Sequence, residues 1–191
     1  PEFSLTLYGQ DAVSVTDLLN RRGEASQTNV VVGMPDVHWQ DQERYQVFNS
    51  AQGFGQASGK FAKHHLVPFG DYVPLQNYLR GLIGFFDLPM SNASRGARQQ
   101  TNIMLTLSGQ DQIIEVASGI CYEIAYGDFL RRQAETSGLL LTISNDTWFG
   151  GSIGPHQHMQ IAQMRALENG RWLLRATNNG VTGIVNHRGE I

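Results

Sequence analysis

Short apolar runs rich in β-formers, separated by Gly, Asn and Pro and interrupted by stretches of helical period, restrict this chain to a layered α/β fold. The spacing predicts strands at Asn29 to Gly33, Arg44 to Asn49, Ile113 to Ile120, Leu139 to Ser144, Trp172 to Thr177 and Gly180 to Val185. Helices are expected from Asp11 to Arg21 after a polar turn, and from Pro155 to Asn169. The second starts with Pro in its first turn and places Met159, Ala162, Met164, Ala166 and Leu167 near one face. A third helix follows Glu123, through Phe129 to Ala134. Strands alternating with helices exclude a sandwich of sheets alone or a helical bundle.

At 191 residues and 41% hydrophobic composition the chain supports one sizeable core and reads as a single domain. Fourteen Lys and Arg stand against 17 Asp and Glu, a net charge of -3, and no long block collects either sign. That excludes a general nucleic-acid binder. No apolar run approaches the ~20 residues that span a bilayer, and no signal peptide opens the chain. The Pro1-Glu2 start and the turn-like His187-Arg188-Gly189-Glu190 before Ile191 read as those of a fragment of a larger protein.

Cys121 is the sole cysteine, so an internal disulfide is excluded and the thiol is either core filler or chemistry. It closes the apolar run Ile113 to Ile120 and precedes a helix. That places it at a strand's carboxyl edge, where open α/β sheets carry their sites, near amides that favour an anion. Cysteine chemistry further needs a group to take the proton and donors for an oxyanion. Other patterns fail. Gly53 to Lys60 has its glycines misplaced for a phosphate loop, has Phe61 where Ser or Thr should follow the lysine, and reads as a hairpin turn. His156 and His158 point to different faces of their helix, and neither they nor His64 and His65 suit a metal. Leu75 to Arg98, with Leu79, Leu82, Ile83, Phe85, Phe86, Leu88 and Met90 among glycines, reads either as a binding loop or as a short core-packing helix.

Three stretches together resemble the nitrilase, or carbon-nitrogen hydrolase, superfamily: Lys63-His-His-Leu-Val-Pro-Phe-Gly-Asp-Tyr-Val-Pro-Leu75, Gly119-Ile-Cys-Tyr-Glu123 and Ser144-Asn-Asp-Thr-Trp-Phe-Gly150. Gly154-Pro-His-Gln-His158, Met164-Arg-Ala-Leu-Glu168 and Arg175-Ala-Thr-Asn-Asn-Gly180 are similar to its apolipoprotein N-acyltransferase branch. The resemblance implies a nitrilase-type α-β-β-α sandwich, incomplete at both ends, and a Glu-Lys-Cys triad of Glu2, Lys63 and Cys121. Glu2 would be the general base, Lys63 would stabilise thiolate and oxyanion, and Cys121 would be the nucleophile. Asp71 stands where the family carries a glutamate, one carbon longer, that supports the lysine. Tyr122 and Glu123 match family positions important for activity, and Trp148 matches one near the acyl pocket. Phe85 and Phe86 belong to the apolar segment that would admit lipid.

The resemblance further implies a ping-pong transfer needing no cofactor and no metal. An acyl chain would pass from a phospholipid to Cys121, and from there to the α-amine of an S-diacylglyceryl-cysteine at the tip of an apolipoprotein. The domain would lie on the periplasmic side of a bacterial inner membrane, joined to it through flanking segments, with no nucleic-acid partner. The rivals are a soluble amidase or carbamoylase that gives the acyl group to water, and an inactive fragment.

Overall fold

The computed structural model describes residues 1–6, 10–41, 44–72, 93–109 and 112–191, with the side chains of Gln10 and Asp11 set aside. The chain forms α1 (Gln10–Ala25), β1 (Asn29–Trp39), β2 (Tyr45–Gly55), β3 (Ala57–Ser58), β4 (Lys60–Ala62), β5 (Ile103–Thr106) and β6 (Ile113–Ile120). A 3-10 turn (Cys121–Ala125) leads into α2 (Gly127–Ala134) and β7 (Leu139–Asn145). A second 3-10 turn (Asp146–Phe149) precedes α3 (Gly154–Asn169), β8 (Trp172–Asn178) and β9 (Gly183–Val185).

Strands β1-β2-β4 make one sheet and β3-β5-β6-β7-β8-β9 the other. The middle of the larger sheet, β6-β7-β8, is parallel, and its remaining pairs are antiparallel. One apolar cluster joins this sheet to α2 and α3 through Ala117, Leu130, Leu140, Met159, Ala162 and Leu173. A second lies between the sheets, built from Ala51, Phe61, Ile103, Val116, Ile120 and Ile143. Alternation along β6 explains the split, since Val116 and Ile120 face one cluster and Ala117 the other. Helix α1 covers the outer face of the smaller sheet, where Asn20 Oδ1 accepts a hydrogen bond from the Gly55 amide at 3.1 Å. The layers are therefore helix, sheet, sheet, helix, as expected.

Several predicted elements are longer than expected. Strand β1 continues through Pro35 to Trp39, pairing along its whole length with β2 from Asn29↔Gly55 to Trp39↔Tyr45. Proline is tolerated there because, among the described residues, β1 pairs on one side only, so its missing N–H breaks no ladder. The Gly53 to Lys60 stretch is a hairpin in which Gln52 pairs with Lys60. Within it, Ala57 and Ser58 reach across to β5, a strand that sequence pattern did not reveal. In α3 the buried face is Pro155, His158, Met159, Ala162 and Ala166, while Met164 and Leu167 are about half exposed. The expected apolar stripe was thus misplaced, and a histidine occupies part of it. The segment 73–92, which includes Phe85, Phe86 and most of the apolar Leu75 to Arg98 stretch, lies outside the described residues.

Candidate active site

The carboxyl ends of β6, β7 and β8 converge on one edge of the larger sheet, and Cys121 is the first residue beyond β6. Its φ of 55° is left-handed, a region that a residue with a Cβ rarely occupies. Strand alternation would send the side chain after Ala117 toward the helices. The left-handed turn ends that alternation, and Cys121 packs instead against the cluster between the sheets. There it meets Glu2 and Lys63.

Each of those partners has a local cause. A Cβ at Gly33 would run into the Pro1 carbonyl oxygen and Glu2 Cα, so glycine in β1 lets the first residues lie directly on the sheet. Glu2 is 4% exposed, and its carboxylate is fixed from three sides. Asn49 Nδ2 donates to Oε1 at 2.6 Å, Lys63 Nζ to the same oxygen at 3.4 Å, and the Asn145 amide to Oε2 at 2.8 Å. Asn178 Nδ2 also donates to the Glu2 carbonyl at 2.8 Å. Lys63 follows β4 with its amide donating to Asn49 O at 2.8 Å and its carbonyl accepting from the Gly96 amide at 2.9 Å, which holds the backbone on both sides.

Asp71 reaches Lys63 despite its short arm. The Val67–Asp71 turn, closed by the Asp71 amide on Val67 O at 2.9 Å, advances the carboxylate to Lys63 Nζ. The distances are 3.0 Å from Oδ1 and 2.7 Å from Oδ2, and Oδ2 also accepts from the Val67 amide at 2.8 Å. Burial by itself would lower the Lys63 pKa, but the nearby Glu2, Cys121 and Asp71 together hold it above its ordinary value. The ammonium is therefore a fixed charge at any physiological pH. Burial chiefly, and Glu2 and Asp71 with it, push the Cys121 thiol up to about 11 against the opposing pull of Lys63 and Ser144. The resting group is a thiol.

These residues open on a cavity of about 420 Å³ walled by Phe3, Val67, Pro68, Phe69, Trp148 and Phe149. Tyr122 and Trp148 both line it, with Trp148 66% exposed, so that indole is a wall and not core filling. Glu123 is placed differently. Its side chain is fully buried, with Oε1 accepting from the His64 and His65 amides at 2.8 and 2.9 Å and Oε2 from the Ile120 amide at 2.9 Å. It ties the strand end carrying Cys121 to the backbone following Lys63.

Sequence reading missed a buried polar group behind Cys121. Asp146 accepts from Ser144 Oγ at 2.6 Å and from Arg175 Nη2 at 2.9 Å. His158 lies between Asp146 Oδ1, 2.9 Å from Nδ1, and the Cys121 carbonyl oxygen, 3.1 Å from Nε2. One signal was available, an arginine in the middle of the apolar run Trp172 to Thr177, since a buried charge demands a partner.

An α-β-β-α sandwich with a thiol, an ammonium and two carboxylates gathered at the sheet's carboxyl edge defines a nitrilase-type protein. The carbon-nitrogen hydrolase family model matches residues 1–191, and the chain belongs to that family. It is 44% identical over 191 residues to the apolipoprotein N-acyltransferase of Pseudomonas aeruginosa, covering 100% of this chain and 36% of that protein. To the proteins of the same name from Pseudomonas putida and Nitrosomonas europaea it is 46% and 42% identical, again over 100% of this chain and 36% and 37% of theirs. The chain thus spans little more than a third of those relatives. Among solved structures, the carbon-nitrogen hydrolase of Helicobacter pylori matches with a TM-score of 0.64 at 15% identity, over 95% of this chain and 63% of that one. An amidase variant from Nesterenkonia sp., carrying an acetamide moiety on its active-site cysteine, matches with a TM-score of 0.59 at 15% identity, over 95% of this chain and 62% of that one.

Proposed function

We propose that this chain is the catalytic domain of an apolipoprotein N-acyltransferase, in which Glu2, Lys63 and Cys121 form the triad and Asp71 supports the lysine. The observation that carries the reading is the placement of Cys121 on a left-handed turn, at the mouth of an apolar-walled cavity, beside a buried carboxylate and ammonium. An acyl chain suits those walls. The names of the relatives supply the substrate class.

With its pKa near 11, the thiol is ionised in about one molecule in ten thousand at pH 7, so a base must act as sulfur attacks. Glu2 is that base. Passing the proton from Cys121 Sγ to Glu2 moves the negative charge within the cluster without changing its total, which a buried site tolerates far better than a new charge. The thiolate attacks the ester carbonyl of a phospholipid, and the oxyanion is held by Lys63 and the Tyr122 amide. Collapse breaks the ester C–O bond as Glu2 returns its proton to the departing lysophospholipid oxygen, leaving a thioester. The α-amine of the diacylglyceryl-cysteine then attacks that thioester and gives a proton to Glu2. The C–S bond breaks, and Cys121 recovers its proton as the amide is released.

Trp148 and Tyr122 would line the acyl path, and Phe85 and Phe86 would guide the chain from the bilayer. No helix among the described residues is long and apolar enough to cross a membrane. Attachment to the outer side of a bacterial inner membrane would come from other parts of the parent. Incubating the full-length parent with phospholipid vesicles should add one acyl mass, and a diacylglyceryl lipopeptide should then remove it and become N-acylated. Loss of the adduct to water with no acylated peptide would make the protein a hydrolase. No adduct at all would remove the reading.

A further inference from the structure

Four polar side chains just behind Cys121 are closed to solvent: Ser144, Asp146, His158 and Arg175 are each at most 3% exposed. None belongs to the triad. They come from three elements and their connections, and the sheet register explains their meeting. Ile120 pairs with Ile143 in the parallel β6-β7 ladder, which sets the next residues, Cys121 and Ser144, side by side. In the β7-β8 ladder Thr142 pairs with Arg175 and Ser144 with Thr177, which brings the guanidinium under the Ser144-Asn145-Asp146 turn. Helix α3 then lays His158 over Asp146.

Asp146 has more donors than it needs. Oδ2 takes Arg175, while Oδ1 takes both His158 and Ser144. A carboxylate held by an arginine and a histidine stays satisfied if the serine hydroxyl turns away. In the β6-β7 register Ser144 is the lateral neighbour of Cys121, and its hydroxyl pulls the thiol pKa down, the direction expected of a donor to the thiolate. Asp146 has no freedom to follow it. A Cβ at Gly180 would run into the Asp146 carboxylate, so that glycine lets the β8-β9 connection press the side chain into place. His158 meanwhile contacts the carbonyl of Cys121 itself and so braces the left-handed residue.

We propose that Ser144 is a further catalytic residue whose hydroxyl turns from Asp146 to donate to Cys121 Sγ when the thiolate forms, with Asp146, His158 and Arg175 as the positioning residues that present it. The inference rests on Cys121 as the nucleophile. Resting enzyme keeps the Ser144 proton on Asp146. When Glu2 takes the thiol proton, the sulfur gains lone-pair density, and the Ser144 O–H rotates to it. No bond at Ser144 breaks. Once the thioester forms, sulfur is a poor acceptor and the hydroxyl returns to Asp146, which leaves sulfur free to depart in the second half-reaction.

The test is the pH profile of Cys121 alkylation by iodoacetamide in the full-length parent, read by intact mass. Removing a hydrogen bond worth about one pKa unit cuts the thiolate about tenfold, while the more basic sulfur regains about threefold in reactivity. Ser144→Ala should therefore slow alkylation at pH 9 about threefold and move the rise of the profile to higher pH, while Ser144→Thr stays near the parent. Gly180→Ala, which displaces Asp146 without changing any charge, should shift the profile in the same direction. If Ser144→Ala fails to fold, the near-isosteric pair Ser144→Thr and Ser144→Val gives the same comparison. A Ser144→Ala or Ser144→Val profile that overlays the parent, or moves to lower pH, overturns the proposal. Because iodoacetamide needs no acyl donor, this result is independent of whether phospholipid acylates the protein.

Discussion

Lys63 Nζ lies within 3.0 Å of both carboxylate oxygens of Asp71, although an aspartate arm is one carbon shorter than that of a glutamate. The Val67–Asp71 turn supplies the reach that the side chain lacks. Asp71→Ala should leave Lys63 with Glu2 alone, at 3.4 Å, and lower acylation of the parent by a factor of about a hundred, the scale on which an electrostatic partner of the reacting centre acts. Asp71→Glu should stay equal or faster, since the cavity beside Gly70 has room for one methylene. Single-turnover acylation measured by mass separates the two. Full activity in Asp71→Ala would place this carboxylate outside the mechanism.

Cys121 should behave as a half-buried neutral thiol and not as a preformed thiolate. Burial and Glu2 raise its pKa to about 11, so the neutral form persists through physiological pH and ionisation sets in only as pH approaches that value. Alkylation by a small reagent should climb close to tenfold per pH unit between pH 7 and 10 without a plateau. A plateau beginning near pH 7 would show an ion pair at rest and remove the need for Glu2 as base. Cys121→Ala should abolish both alkylation and the acyl adduct.

Glu123 should prove to be a fastener of the site. Its two oxygens accept from three amides, so Glu123→Gln must turn an NH2 group against at least one N–H in a fully buried place. A loss of about 2 kcal/mol in stability is expected, measured by urea unfolding. Acylation should fall with it, because the strand end bearing Cys121 is no longer tied to the segment after Lys63. An unchanged unfolding midpoint would mean that these hydrogen bonds do not form in solution.

Asp146 makes a different prediction, about pH. Burial alone would raise its pKa, but hydrogen bonds from His158 and Ser144 and the charge of Arg175 hold it below the ordinary value of 3.8. A depressed carboxylate contributes stability above its unfolded value and loses it as pH falls through the folded one. Asp146→Asn should therefore be less stable than the parent at pH 5 to 7, and the gap should narrow as pH drops below about 4. Urea midpoints across that range provide the check, and a gap that widens on acidification would contradict the assignment.

Trp148 is two-thirds exposed yet walls the cavity, an arrangement suited to a surface that is covered only when an apolar chain is bound. Trp148→Ala should raise the KM for phospholipid by several-fold while leaving iodoacetamide alkylation of Cys121 nearly unchanged. A parallel loss in both reactions would instead make the indole a support for the turn.

Local chemistry made part of this protein legible in its sequence. The run Ile113 to Ile120 ending in cysteine fixed a strand, its end and the nucleophile candidate at once, because a side chain at the carboxyl edge of a strand follows from chain direction alone. Lys63 and Asp71 were legible through the resemblance, as parts of one motif eight residues apart, and the Val67–Asp71 turn brings their side chains together. Strand β1 was read to end at Gly33, before Pro35, and only the sheet order shows that, among the described residues, β1 pairs on one side alone. Sequence also placed Glu123 in the site, but not its three amide partners, two of which lie 58 and 59 residues away. Ser144, Asp146, His158 and Arg175 all fall in motifs visible in the sequence, but their meeting as one group was not legible there. His158 and Arg175 reach Asp146 from other elements, and the parallel register that unites them is set by packing between strands, which no single stretch of sequence encodes.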